Sequence, residues 1–262
     1  MLELSSFFRT LHFPLIDSTQ LYAETHIDDL VENEWRAIIA DQQLKGQGTH
    51  GRPWCSPAGN LSATFSIKIS SKNIPFKNLT KIPQLVAICI MQVLKEFGLD
   101  PQYKWVNDIF LKEKKVAGIL CSSRSDNNGN TIIHIGTGMN VTLSTKECSE
   151  ISQPTTSLNL ELDSPVSVAL VLDKLKKILA THFNHFLNYG QLLFQEELNS
   201  RLAFKNTSII FELQNKNKDI IEGVLRGVDE NGFIIIERAD TGQRETFVTG
   251  RILKLTHVSE KS

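Results

Sequence analysis

Apolar and polar positions alternate strictly over residues 60–70. Leu61, Ala63, Phe65, Ile67 and Ile69 fall in one set, and Ser62, Thr64, Ser66, Lys68 and Ser70 in the other. A period of two places the sets on opposite faces of a strand and predicts one buried and one solvated face. The pattern then changes period. Over residues 83–97, Leu85, Val86, Ile88, Cys89, Ile90, Val93, Leu94 and Phe97 leave almost no polar side, which predicts a buried helix with Pro83 in its first turn and Gly98 as its stop. Residues 103–111, 116–122 and 131–135 read as successive strands, parted by the turn Lys112-Glu113-Lys114 and a polar loop over 123–130. Ser164-Pro165 reads as an N-cap followed by the first helical position. The helix after it carries Leu172, Leu175, Ile178, Leu179, Phe183 and Phe186 at helical spacing, and a second amphipathic helix is expected over 191–202.

From Thr207 the helical period disappears. Five short strands are predicted at 208–213, 220–225, 233–238, 246–248 and 252–255, with turns rich in Asn, Asp and Gly such as Asp229-Glu230-Asn231-Gly232. Short strands at this density suggest a small barrel. The chain therefore divides near Asn206, into a larger unit over 1–205 and a smaller one over 206–262.

Composition narrows the function classes. With 262 residues, 41% hydrophobic and 22% charged, the chain has the profile of a globular protein with a sizeable core. A net charge of -1 gives no global attraction to nucleic acid or to a membrane surface, and neither is expected as a partner. Cys55, Cys89, Cys121 and Cys148 form no C-x-x-C pair. Free thiols, no evident signal peptide and no apolar run long enough to span a bilayer point to the cytoplasm. His182 and His185 share a helix face but lack a third ligand, so no protein-held metal is expected.

The chemistry concentrates in Gly46-Gln47-Gly48-Thr49-His50-Gly51-Arg52-Pro53-Trp54. Its glycines expose amide donors, while Lys45, His50 and Arg52 bring positive or titratable groups, a combination suited to an anion such as phosphate. The loop is neither a P-loop nor a dinucleotide fingerprint. Four further segments accompany it: Asp17-Ser18-Thr19-Gln20 with Gln43, Lys104-Trp105-Val106-Asn107-Asp108, Lys114 through Leu120, and Gly136-Thr137-Gly138-Met139-Asn140.

In this order, and over nearly the whole chain, these motifs resemble the biotin–protein ligases, the biotin–[acetyl-CoA-carboxylase] ligases of bacteria. The resemblance implies an α+β fold: a mixed-sheet catalytic domain similar to class II aminoacyl-tRNA synthetases, with helices on one side, followed by an SH3-like barrel. It implies two steps, in which biotin and ATP give biotinyl-5′-adenylate and the biotinyl group then passes to a lysine of a biotin carboxyl carrier domain of acetyl-CoA carboxylase. Mg2+ would enter with the ATP phosphates, and a homodimer is one arrangement the resemblance allows. Two anions must be brought together, so cations and oriented donors should carry the chemistry.

By the same resemblance Lys115 and Arg52 are the catalytic cations. Ser18, Thr19, Gln43, Gly46, Gln47, Gly118 and Gly136 would join Lys115 around biotin. Gly48, Thr49, His50, Trp54, Lys104, Asn107, Ile119 and Asn140 would join Arg52 around ATP, with Trp54 near the adenine. Gln47 stands where relatives commonly carry arginine; one lost charge-assisted contact is worth about 1.5–3 kcal/mol, and Lys45 is the candidate replacement. Val106 replaces the usual proline of the K-W-P-N-D motif. The ligase-like region begins by about Pro14, so an enzyme without an operator-binding winged helix is expected. A lipoate ligase or octanoyltransferase of the same fold, and a sensor that binds biotin without transferring it, are the alternative readings.

Overall fold

The computed structural model describes residues 4–190 and 195–255. In chain order the elements are β1 (Phe8–Ile16), α1 (Thr19–Thr25), β2 (Trp35–Gln43), β3 (Leu61–Ser70), α2 (Phe76–Leu79), α3 (Ile82–Glu96), β4 (Gln102–Lys104), β5 (Asp108–Leu111), β6 (Lys114–Ser125), β7 (Asn130–Met139), α4 (Thr145–Glu150), α5 (Leu158–Glu161), α6 (Val168–Tyr189), α7 (Gln195–Ser200), β8 (Ser208–Leu213), β9 (Ile220–Val228), β10 (Ile234–Arg238), β11 (Arg244–Phe247) and β12 (Gly250–Leu255). β1 to β7 form a seven-stranded sheet in the order β1-β2-β3-β7-β6-β5-β4. β1 runs parallel to β2 and the other pairs are antiparallel, so the sheet is mixed.

The even-numbered face of β3 overturns the expectation of a solvated side. Ser62, Thr64 and Ser66 are as buried as Leu61, Ala63 and Phe65. The apolar face packs on the long helices α3 and α6. The polar face is roofed by α1, whose Thr19 and Gln20 side-chain oxygens accept from the Thr64 hydroxyl. Helices therefore lie on both sides of the sheet, not on one. A half-polar strand becomes doubly buried here because a short polar helix takes the Thr64 hydroxyl and His134 of β7 pairs with that of Ser66.

α1 has only seven residues, too few for independent stability, and it is pinned at both ends. Ser18 caps its N-terminus. At its other end Arg36 of β2, only 2% exposed, donates to the carbonyls of Ala23 and His26 and pairs with Asp29. A guanidinium suits this place because it can satisfy several acceptors at once.

Two boundaries differ from the sequence reading. The strand expected over 103–111 is the hairpin β4–β5, in which Lys104 pairs with Asp108. The reversal falls at Trp105 and Val106, whose apolar side chains had read as strand interior. The long helix is capped by Ser167, whose hydroxyl accepts from Leu170 N at 3.2 Å, and not by Ser164. Pro165 lies outside the helix, and the later serine sits directly before the first helical residue. Of the helix expected over 191–202, α7 is described, while 191–194 lie outside the described residues.

The predicted C-terminal strands form a second, five-stranded antiparallel sheet in the order β11-β10-β9-β8-β12. Phe247 of β11 lies 5.5 Å from Phe211 of β8 although two strands separate them in the sheet, so the sheet curls over its own core. It is fastened to the first sheet at the β9–β10 turn. Gly232, at φ 86, turns its carbonyl to accept from Gln84 Nε2 at 2.7 Å and Trp105 Nε1 at 3.0 Å.

Beneath α1, His134 is 1% exposed and shares a 2.9 Å hydrogen bond with Ser66 Oγ. Burial lowers its pKa from 6.5 to about 4, with Glu24 opposing. The unfolded chain therefore takes up a proton through this window that the fold does not, and stability falls as pH drops. The expected slope from His134 is about 1 kcal/mol per pH unit below about pH 6.5, with buried His182 adding in the same direction. Urea titrations at pH 7 and about pH 5 should show His134→Gln losing less stability than wild type on acidification; equal losses would refute the assignment.

Candidate active site

The site is built on the roofed polar face. At the start of α1 the Ser18 hydroxyl oxygen accepts from Leu21 N at 3.3 Å, which satisfies a helix-end donor and leaves its own proton available. Thr19 is held from outside the helix. Gln43 Oε1 accepts from its amide at 2.8 Å and from its hydroxyl at 3.1 Å, while Gln43 Nε2 donates to Ser56 Oγ at 2.8 Å. Gln43 therefore spends its oxygen on Thr19 and keeps one N–H to offer. Gln20 turns back toward the sheet, where its oxygen lies 2.7 Å from the position a Cβ on Gly136 would take.

Glycines clear the opposite wall. Gly118 pairs with Gly138 across β6 and β7, and Leu120 with Gly136. A Cβ on Gly138 would fall 2.3 Å from Trp54 Cε2, and one on Gly118 would fall 2.9 Å from Trp54 Cζ3. The indole lies against these two backbones, which no larger residue would permit. The loop carrying Trp54 is folded as a narrow hairpin, with Gly48 N donating to Arg52 O at 2.7 Å and Trp54 N to Gly46 O at 2.8 Å.

Lys115 stands at the junction. Its ammonium is 2.7 Å from Asp108 Oδ1 and 5.1 Å from the Trp54 ring centroid, so a carboxylate and an aromatic face fix its direction. It lines two cavities. The inner one is bounded by Ser18, Thr19, Gln20, Gln43, Gln47, Gly48, Thr49, Gly118, Ile119 and Gly136; the outer one by Asn140, Ile151, Gln153 and Thr155, and Trp54 belongs to both. Asn140 is buried and donates to Thr156 O at 3.0 Å, tying the outer wall to β7.

The remaining expected residues are distributed differently. Arg52 and His50 line neither cavity; they face a third, with Lys218 and Arg251 of the second sheet. Lys104 and Asn107 line none of these cavities. Lys104 nevertheless shares a field with the others. Burial holds its pKa below the ordinary lysine range; Asp108 opposes this, and Lys115, Arg52 and Arg251 reinforce it. Gly46 serves the hairpin, since a Cβ there would lie 2.5 Å from Trp54 O. Gly48, Thr49 and Ile119, assigned by resemblance to the nucleotide, line the inner cavity, and Trp54 rests on its glycine wall. Gln47 also reaches the inner cavity, but Lys45 does not supply the missing charge: it extends to Asp17 at 2.7 Å.

Some lining residues were given no role from the sequence. Gln20, Thr64, Asp108 and Gly138 all line the inner cavity. The signals were present, because Gln20 follows Ser18-Thr19 directly and Gly138 repeats Gly136 at the spacing that returns to one strand face. Arg251 was hidden in a different way, since only the docking of the second sheet brings it near Arg52.

Residues 12–140 match the Biotin/lipoate A/B protein ligase family. The chain is 28% identical over 230 residues to the bifunctional ligase/repressor BirA of Escherichia coli, covering 86% of this chain and 68% of that protein. It is 25% identical over 223 residues to the biotin–[acetyl-CoA-carboxylase] ligase of Paracoccus denitrificans, covering 84% and 90% of the two. The fold is shared with the biotin protein ligase of Aquifex aeolicus solved with biotin and ATP, at a TM-score of 0.73 and 23% identity over 93% of this chain and 99% of that one.

The stacking of Trp54 on the glycine wall is directly testable. Trp35 and Trp105 are 1% and 3% exposed, so a change in tryptophan exposure reports on Trp54. Gly138→Ala should expel the indole and shift the emission maximum to the red while the melting temperature stays close to wild type. An unshifted spectrum would show that the indole does not rest there.

Proposed function

We propose that this chain, which carries a Biotin/lipoate A/B protein ligase family domain over residues 12–140, is an ATP-dependent biotin–protein ligase acting on a biotin carboxyl carrier domain. The observation that carries this reading is the position of Lys115, the one cation lining both the inner and the outer cavity among their described residues.

The inner cavity suits a cyclic urea. Such a ring offers two N–H donors beside one carbonyl acceptor. The wall answers with the free hydroxyl proton of Ser18, the spare N–H of Gln43 and the oxygen of Gln20. The Trp54 face and the glycine backbones give the apolar sides that a fused sulfur ring and a valeryl chain need. The chain then leads the carboxylate to Lys115, and the outer cavity takes the nucleotide with its α-phosphate against the same ammonium.

Activation joins a carboxylate oxygen to the α-phosphorus and expels pyrophosphate. Lys115 offsets the mutual repulsion of the two anions and the charge that builds on the phosphoryl oxygens. Asp108 and the Trp54 ring hold that ammonium in place beforehand, so little reorganisation is needed at the moment of reaction. The carrier lysine then attacks the acyl carbon, and AMP leaves. Mg2+ would enter with the ATP phosphates. Arg52, Arg251 and Lys115 act together on Lys104, a positive field that would favour a polyphosphate. We assign residues 1–205 to catalysis and 206–262 to a unit that contributes Arg251, in a protein working in the cytoplasm.

Incubation with biotin, ATP and a biotin carboxyl carrier domain should add one biotinyl group per carrier by mass spectrometry. Labelling with lipoate in preference to biotin, or binding of biotin without any transfer, would overturn the reading. Lys115→Ala should lower biotin-dependent pyrophosphate release by about 10²–10³-fold, with the fold intact by circular dichroism. Unchanged release would remove Lys115 from the chemistry.

A further inference from the structure

The oxygen that Gln20 turns to the inner cavity is set from behind. Gln20 Nε2 donates to Glu24 Oε1 at 2.8 Å and to Ser122 Oγ at 3.0 Å, so both of its protons are engaged. The Ser122 hydroxyl in turn donates to Glu24 Oε1 at 2.6 Å. Turning the amide over would set Gln20 Oε1 against a carboxylate and against a hydroxyl whose proton is already given away. A carboxylate accepts and never donates, so Glu24 dictates the amide's direction.

At the other end of the amide the proton count leaves an acceptor free. Thr64 has one hydroxyl proton and two acceptors in reach, Thr19 Oγ1 at 3.0 Å and Gln20 Oε1 at 3.3 Å. The nearer takes it, because Thr19 passes its own proton on to Gln43 Oε1. Gln20 Oε1 is left facing the space that Gly136 keeps clear. Gln20 and Glu24 sit four residues apart on α1, and Ser122 lies on the face of β6 that also carries Gly118 and Leu120. The pinned helix thus brings all three side chains together.

We propose that Glu24, seconded by Ser122, is a positioning residue for substrate recognition: it fixes Gln20 as a hydrogen-bond acceptor for a urea N–H. The inference rests on the ligase reading and deepens it. It supplies a reason for this pocket to prefer a urea over a dithiolane ring, which has no N–H to give. Glu24 itself touches no substrate.

The test compares Glu24→Met, Ser122→Ala, Gln20→Met and the double variant Glu24→Met/Gln20→Met, measuring KM for biotin and for ATP in carrier labelling. Glu24→Met should raise KM for biotin about tenfold, the order expected when one oriented hydrogen bond is lost, with KM for ATP and the melting temperature unchanged. Ser122→Ala, which removes a single hydroxyl, should raise it about threefold, and serves where Glu24→Met folds poorly. In the Gln20→Met background the Glu24 change should have no further effect, which a merely structural role would not produce. An unchanged KM for biotin in both single variants, or the same tenfold rise with Gln20 already gone, would overturn the proposal. Wild-type protein that fails to label the carrier with biotin would instead overturn the ligase reading, and the inference would fall with it.

Discussion

The structure depends on burying a polar sheet face while giving its hydroxyls partners inside the fold, as Thr64 and Ser66 have. Ser62, Thr64, Ser66 and His134 sit where solvent would ordinarily satisfy them. A buried hydroxyl or imidazole without partners costs about 1–3 kcal/mol each, so the roof over them has to be polar on its inner side and accurately placed. α1 meets that requirement for Thr64 through Thr19 and Gln20, Ser66 and His134 bond to each other, and Arg36 and Gln43 hold the helix at its two ends. The same helix then carries the recognition groups. The side chains that keep the sheet satisfied and those that would meet a ligand belong to one hydrogen-bond network, which ties the specificity of the pocket to the stability of the fold.

That coupling explains the division of labour among the glutamines. Gln43 uses its oxygen to hold Thr19, and Gln20 uses its two protons to answer Glu24 and Ser122. Each amide is half structural and half available, and the halves are complementary: one spare donor and one spare acceptor. A wall built from apolar residues could be as stable but could not distinguish ligands by their donor pattern.

How far the sequence revealed all this depended on whether the relevant contacts were local. The alternation of β3, the buried α3 and the five late strands were legible because each signal is a period within one segment. The assignment of Ser62, Thr64 and Ser66 to solvent failed because the helix that covers them is short and polar and leaves no apolar stripe to read. The hairpin at Trp105 was missed for a related reason: both side chains at the turn are apolar, since Trp105 is buried against the second sheet. Lys115, Ser18 and Gln43 could be gathered by resemblance. Glu24 and Ser122 could not, because their role exists only through Gln20, and the separation of Arg52 from Lys115 is a fact of loop geometry.

The charge distribution finally argues that the two sheets work as one electrostatic unit. Trp105 gives its indole N–H to the Gly232 carbonyl, and it lies between Lys104 and the Asp108 that orients Lys115. The residue that locks the second sheet in place thus sits inside the turn that sets the central cation. Arg251, reached only through that second sheet, contributes to the same lowering of Lys104 as Lys115 and Arg52. Asp108 opposes that lowering and Glu212 pairs with Arg251 at 3.3 Å, yet burial first and the neighbouring cations second still disfavour the charged form of Lys104. A nearby anion favours the charged form of a lysine, so a polyphosphate bound beside Lys104 would offset part of that effect.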